Sequence, residues 1–281
     1  MITTYSLHKI NQADRFGFSP LEYSRFKFGD EAIAKNYGIE MAEGFIREHL
    51  LFTPVKHQIV VISSPYSFIP TATFAMKNYF VFHLNRWLAE NNFKVVEETK
   101  VHRTITYKED YGELNEEQRI NLISNDRFHI DKAFLENKML VFLDDIKITG
   151  SHERMIRKMI DQYGLQNNTF LLYFAELINK SIHPNIENFL NYAYVKSIFE
   201  LNDIIKTNKF FINTRIVKYM LNYEHSSFEI FLKAQTDDFA ALVYDMAIGN
   251  GYHAIEAYAK NLNHIKFRLF TKSHKLIPNG N

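Results

Sequence analysis

Asp144 and Asp145 stand side by side behind an apolar run, and Thr149-Gly150-Ser151 follows after Ile146, Lys147 and Ile148. Two adjacent carboxylates accept hydrogen bonds from neighbouring hydroxyls and attract hydrated Mg2+, a hard cation that prefers oxygen. A glycine turn between two hydroxyl residues, placed where a helix begins, presents N–H and O–H donors to a phosphate. A ligand carrying a phosphate, a diol and a magnesium-bound group satisfies all three features. The 281 residues include no cysteine, which excludes disulfides, thiolate nucleophiles and Cys-bound zinc. None of the twelve histidines has metal-site spacing of the His-Glu-x-x-His kind.

This chemistry needs a strand, a tight turn and a helix in succession. Leu140-Val141-Phe142-Leu143 shows no polar alternation, which suits a strand buried on both faces of a parallel sheet. Gly150 permits the turn and Ser151 is a good helix N-cap. Met155, Ile156, Met159, Ile160 and Tyr163 then recur at helical spacing as far as Gly164. The carboxylates fall at the carboxyl end of the strand, where open α/β sheets bind ligands. Residues 59–63 and 169–174 read as two further buried strands. Strands alternating with helices predict a doubly wound, mostly parallel α/β sheet.

The stretch from Leu140 to His152 resembles the signature of type I phosphoribosyltransferases for PRPP, 5-phosphoribosyl 1-diphosphate. The resemblance implies that Asp144 and Asp145 are the catalytic acids, holding the ribose hydroxyls and, through water, Mg2+. It implies that Ile148, Thr149, Gly150, Ser151 and His152 wrap the 5′-phosphate. His152 departs from the family's usual Thr or Ser. Ile148 stands where the hypoxanthine-guanine branch carries an acid, which disfavours a purine-salvage enzyme of that branch. By position, Ser63, Ser64, Pro65 and Tyr66 match the pyrophosphate loop, without its usual Arg or Lys with Gly. The Ser64–Pro65 bond is of the kind that can be cis.

Between Lys108 and Phe128 the chain turns polar, where the family carries a hood that closes over PRPP. Arg103, counted among the catalytic residues, and Lys108 would offer positive charge to departing pyrophosphate. The implied reaction transfers the phosphoribosyl group of Mg·PRPP to a nitrogen nucleophile, a small nitrogenous base, and releases pyrophosphate. No general base stands out, as suits a family that works by positioning and charge stabilisation.

The rest of the chain frames this region. Residues 1–57 read as an N-terminal cap segment, 58–180 as a phosphoribosyltransferase-like α/β domain, and 181–281 as a helical C-terminal subdomain. The interleaved aromatics and bases of Tyr23-Ser24-Arg25-Phe26-Lys27-Phe28-Gly29-Asp30 predict a surface strand, with Arg25 and Lys27 as secondary candidates for the base site. Helices are expected at 31–50, 71–90 and 116–122, and strands at 93–97 and 101–107. No Gly or Pro occurs between Asn185 and Ile248, which favours an all-helical stretch. A net charge of +1 gives no reason to expect nucleic acid as a partner. Met1 to His8 lacks the apolar core of a signal peptide and no segment approaches membrane-spanning length, so the expected setting is cytoplasmic, away from membranes. A homodimer is compatible with the resemblance. The alternative function is a non-catalytic regulatory protein that senses PRPP or a nucleotide.

Overall fold

A computed structural model of the chain describes residues 1–52, 55–99, 102–103, 128–207 and 209–273, with the backbone alone at 102–103, 128–129 and 272–273. The strands are β1 (Ile2–Ile10), β2 (Ile59–Ser63), β3 (Glu97–Thr99), β4 (His102–Arg103), β5 (Phe128–His129), β6 (Met139–Lys147) and β7 (Thr169–Leu177). Five of them form one sheet in the order β1-β7-β6-β2-β3, and every pairing in it is parallel. β4 and β5 make a separate antiparallel ribbon. β6, at the centre, is buried along nearly its whole length and apolar as far as its two acids, because helices cover both faces of a sheet whose crossovers are helical.

Helices α1 (Pro20–Lys27), α2 (Glu31–Phe45) and α3 (Ala72–Glu90) precede α4 (Lys132–Leu135) and α5 (Ser151–Tyr163). On one face Tyr37, Met41 and Phe45 of α2 and Met76, Phe80 and Leu84 of α3 pack on Val141, Leu143 and Leu172. On the other, Met159 and Ile160 of α5 meet Leu140, Phe142 and Leu171. Burying side chains of this size stabilises the fold by about 1.5–3 kcal/mol each. The expected α/β fold, with its three parallel strands and the helix starting directly after Gly150, is the one observed.

Helix α6 (Ile186–Asn191) joins the first core through Leu190 and Ile186, and a third core belongs to the C-terminal helices α7 (Leu201–Ile205), α8 (Thr214–Asn222), α9 (His225–Lys233), α10 (Asp237–Gly249) and α11 (Glu256–Ser273). Phe228, Phe231 and Phe239 lie in it, as their helical spacing implies.

Several local expectations are corrected. Residues 23–27 belong to a helix, not a surface strand. Ser19 caps that helix by accepting from the Glu22 N–H at 3.3 Å, and Pro20 occupies its first turn. The alternating texture misled because Tyr23 and Phe26, three residues apart, share one buried helical face. Residues 2–10, placed in a cap segment by the sequence reading, are the edge strand that pairs with β7. The strand expected at 93–97 begins only at Glu97. The Ser64–Pro65 bond is trans. The hood interval, with Lys108 and the helix expected at 116–122, lies outside the described residues, and Arg103 is placed by its backbone alone.

Candidate functional site

Successive residues of a strand face opposite sides, and β6 uses this to separate its two acids. Asp145 faces α1 and α3. Its Oδ2 accepts from the Tyr23 hydroxyl at 2.6 Å and pairs with the Lys27 ammonium, and its Oδ1 accepts from the Thr73 hydroxyl at 3.3 Å. Burial alone would raise its carboxyl, but the Lys27 charge and these hydrogen bonds hold it well below the usual carboxylate range. The Tyr23 hydroxyl, wholly buried beside that carboxylate, is pushed far up. Of about four acceptor sites on a carboxylate, Asp145 thus commits three to protein partners.

Asp144 turns the other way. Its Oδ1 accepts from the Ser64 hydroxyl at 2.7 Å and from the Asp145 N–H at 3.0 Å, and its Oδ2 lies 2.9 Å from His152 Nδ1. One carboxylate therefore joins the loop after β2 to the first turn of α5.

The turn between β6 and α5 is built from its own residues. Gly150 sits at φ 71° and ψ 15°, the left-handed region, and leads into the helix. The Thr149 and Ser151 hydroxyls are 2.6 Å apart, and Arg154 donates to the Thr149 carbonyl at 2.9 Å. Lys147 closes the base of the turn with ion pairs of 2.7 Å to both Glu153 and Glu176. Burial would lower its ammonium, but these two carboxylates raise it.

These groups open onto a cavity of about 1050 Å3, lined by 63–67 and 142–152 on one side and by Tyr192, Arg215, Lys218, Tyr219 and Tyr258 of the helical unit on another. Three buried hydroxyls along its wall have no hydrogen-bond partner: Tyr173, which registers with Asp144 on the neighbouring strand, Thr71, at the start of α3, and Tyr252 of the helical unit. Orphaned donors of this kind are expected to meet a ligand or water.

The sequence model of the PRTase (phosphoribosyltransferase) ComF-like family matches residues 1–265. The chain belongs to that family. Its match takes in the helical unit as well as the sheet. Among solved structures, a hypoxanthine phosphoribosyltransferase from Staphylococcus aureus is similar at 10% identity, over 54% of this chain and 76% of that one, with a TM-score of 0.33. The L. donovani hypoxanthine-guanine enzyme follows at 11% identity, over 52% and 70%, with a TM-score of 0.32. A Trypanosoma cruzi hypoxanthine phosphoribosyltransferase stands at 14% identity, over 59% and 79%, with a TM-score of 0.32. No curated protein matches the chain.

Within this family member, the residues expected from sequence to bind PRPP, 144–145 and 148–152, line one cavity together with Ser63, Ser64, Pro65 and Tyr66. Of the secondary candidates, Lys27 reaches the cavity through Asp145. Arg25 instead pairs with Asp30 at 2.8 Å and stacks on Tyr194. Sequence reading missed Thr73 and Tyr173, marked only by membership of apolar runs, Tyr23, set in the aromatic and basic stretch read as a surface strand, and Arg215 and Lys218, set far along the chain. No described helix is long and apolar enough to cross a membrane.

Among the described residues no group of three or more His, Asp or Glu side chains is placed to hold a metal ion. A hydrated Mg2+ carried in by a phosphate ligand would need one accessible carboxylate rather than a cage of protein ligands. Asp144 fits that role, its partners being a hydroxyl, a backbone N–H and an imidazole. Asp145 does not fit while Lys27 balances its charge.

Proposed function

We propose that the chain binds Mg·PRPP in this cavity and transfers the phosphoribosyl group to a small nitrogenous base, releasing pyrophosphate. The observation that carries this is the convergence of Asp144, the Gly150 turn and the Ser64 loop on one cavity, in a member of a phosphoribosyltransferase family.

In this reading Asp144 takes ribose hydroxyls and water from the magnesium shell, and Asp145 fixes Lys27 and the end of β6 behind it. The 5′-phosphate sits on the Ile148–His152 turn at the start of α5, where backbone donors and the helix dipole favour an anion. The buried Tyr173 hydroxyl supplies a further donor on that side. His152, in place of a hydroxyl residue, orients Asp144 through its ring nitrogen. The Ser63–Tyr66 loop receives the pyrophosphate. When bound, Mg2+ would neutralise charge that builds on the departing pyrophosphate. The protein's own contribution is alignment of ribose and base and exclusion of water, which together supply several kcal/mol in such reactions.

The test is release of pyrophosphate from Mg·PRPP across a panel of nucleobases. Base-dependent release is expected with at least one of them. No release with any base, from protein that binds Mg·PRPP, would replace catalysis by the sensing function.

A further inference from the structure

The Ser63–Tyr66 loop offers hydroxyls to a diphosphate but carries no cation of its own. A diphosphate taken out of water needs counter-charge and donors close by. The helical unit grips the continuation of this loop. The Thr214 hydroxyl donates to the Ile69 carbonyl at 2.9 Å and the Pro70 carbonyl at 3.1 Å, and the Thr214 N–H meets Pro70 as well. From α10's end, Asn250 Oδ1 accepts from the Phe68 and Ile69 N–H groups at 3.0 and 3.1 Å. Helix α8 therefore begins against the loop, and Arg215 and Lys218, one turn apart and half-buried, line the cavity beyond it.

Both units bring charge to the cavity wall, the helical one adding Glu187 and Glu224 as well as cations. Among the described residues, the Lys and Arg side chains lining it from the first 180 residues are Lys27 and Lys147. The others, Lys196, Arg215 and Lys218, all belong to the helical unit. The Arg215 guanidinium lies over the Tyr192 ring, 6.0 Å from its centre, at the outer limit of a cation–π contact. Thr71 adds a second, independent sign of a ligand. Its buried hydroxyl has no partner and makes no capping bond to α3, the helix that starts where the loop ends.

We propose that Arg215 and Lys218 of α8 hold the diphosphate of the ligand opposite the 63–67 loop, with Thr71 as a further donor. The helical unit thereby brings cations to a loop that carries none of its own. The inference rests on the PRPP reading and deepens it.

Calorimetry on the full chain separates the two. Mg·PRPP, magnesium pyrophosphate and ribose 5-phosphate are titrated into wild type, R215Q/K218Q and the charge-preserving R215K/K218R. The glutamine variant should bind Mg·PRPP and pyrophosphate about tenfold or more weakly, yet hold ribose 5-phosphate within about twofold. The R215K/K218R protein should keep most of the diphosphate affinity. Unchanged Mg·PRPP affinity in R215Q/K218Q overturns the inference and leaves the PRPP reading standing, and so does an equal loss for ribose 5-phosphate. Wild type that binds none of the three overturns the reading itself and the inference with it.

Discussion

Asp145 meets Lys27 and Tyr23 of α1 on one side of β6, whereas Asp144, its neighbour in the chain, meets Ser64 and His152 at the cavity. Both are buried, with 6% and 9% of their surface exposed. Burial therefore does not distinguish them; their partners do. A charge matched by an ammonium and two hydroxyls has little capacity left for a ligand. A carboxylate met by a serine, a backbone N–H and an imidazole lines the cavity beside the turn residues. Adjacent identical residues on a strand can thus divide labour between fold and ligand, because the pleat sends them to different environments.

The largest effect should come from breaking the Lys27–Asp145 pair. K27M leaves a carboxylate buried without its cation and should cost about 3–5 kcal/mol of stability, read from the urea midpoint. Replacing both partners, as K27M/D145L, should recover at least half of that loss, since the desolvation of two charges is removed along with their attraction. A double variant as unstable as K27M would show that Asp145 is held by something other than charge balance.

Acid should expose the same pair more gently. The folded-state carboxyl of Asp145 titrates below its ordinary range, so the unfolded chain takes up the proton first. Its contribution is complete above about pH 4 and disappears as pH falls through the folded value, with a slope of at most about 1.4 kcal/mol per pH unit. Urea midpoints measured from neutral to acid pH should fall less steeply in K27M/D145L than in wild type. Parallel profiles would contradict the assignment.

On the ligand side, G150A should cost about 1 kcal/mol. A methyl group there would sit 3.7 Å from Lys147 Cε, so space is adequate and the penalty comes from the positive φ. At Gly29 the φ is 101° and the added methyl would lie only 2.4 Å from the Phe211 carbonyl. G29A should therefore be the more damaging of the two in a thermal melt.

The comparison also marks what the sequence could and could not disclose. Apolar runs ending in acids, a glycine turn and helical spacing reveal a strand, a turn and a helix because each is local physics within some twenty residues. The parallel sheet and the helical C-terminal unit follow from the same periodicities. Lys27's approach to Asp145 is a contact across 118 residues, and no local pattern encodes it. No local pattern singles out Arg215 and Lys218; the hold of Thr214 and Asn250 on the 68–70 backbone is what ties their helix to the loop. Helix α1 was hidden for the opposite reason, since its short aromatic-basic pattern fits both periods. Adjacent acids look equivalent in a sequence; only their partners in space make Asp145 part of the framework.

The most direct measurement of that division is calorimetric titration of Mg·PRPP into wild type, D144N and K27M/D145L, each first shown to be folded. D144N should lose roughly tenfold to a hundredfold in affinity, the worth of one charge-assisted contact, while K27M/D145L stays within about threefold of wild type. The reverse order, with D144N binding normally and K27M/D145L failing to bind, would contradict the account.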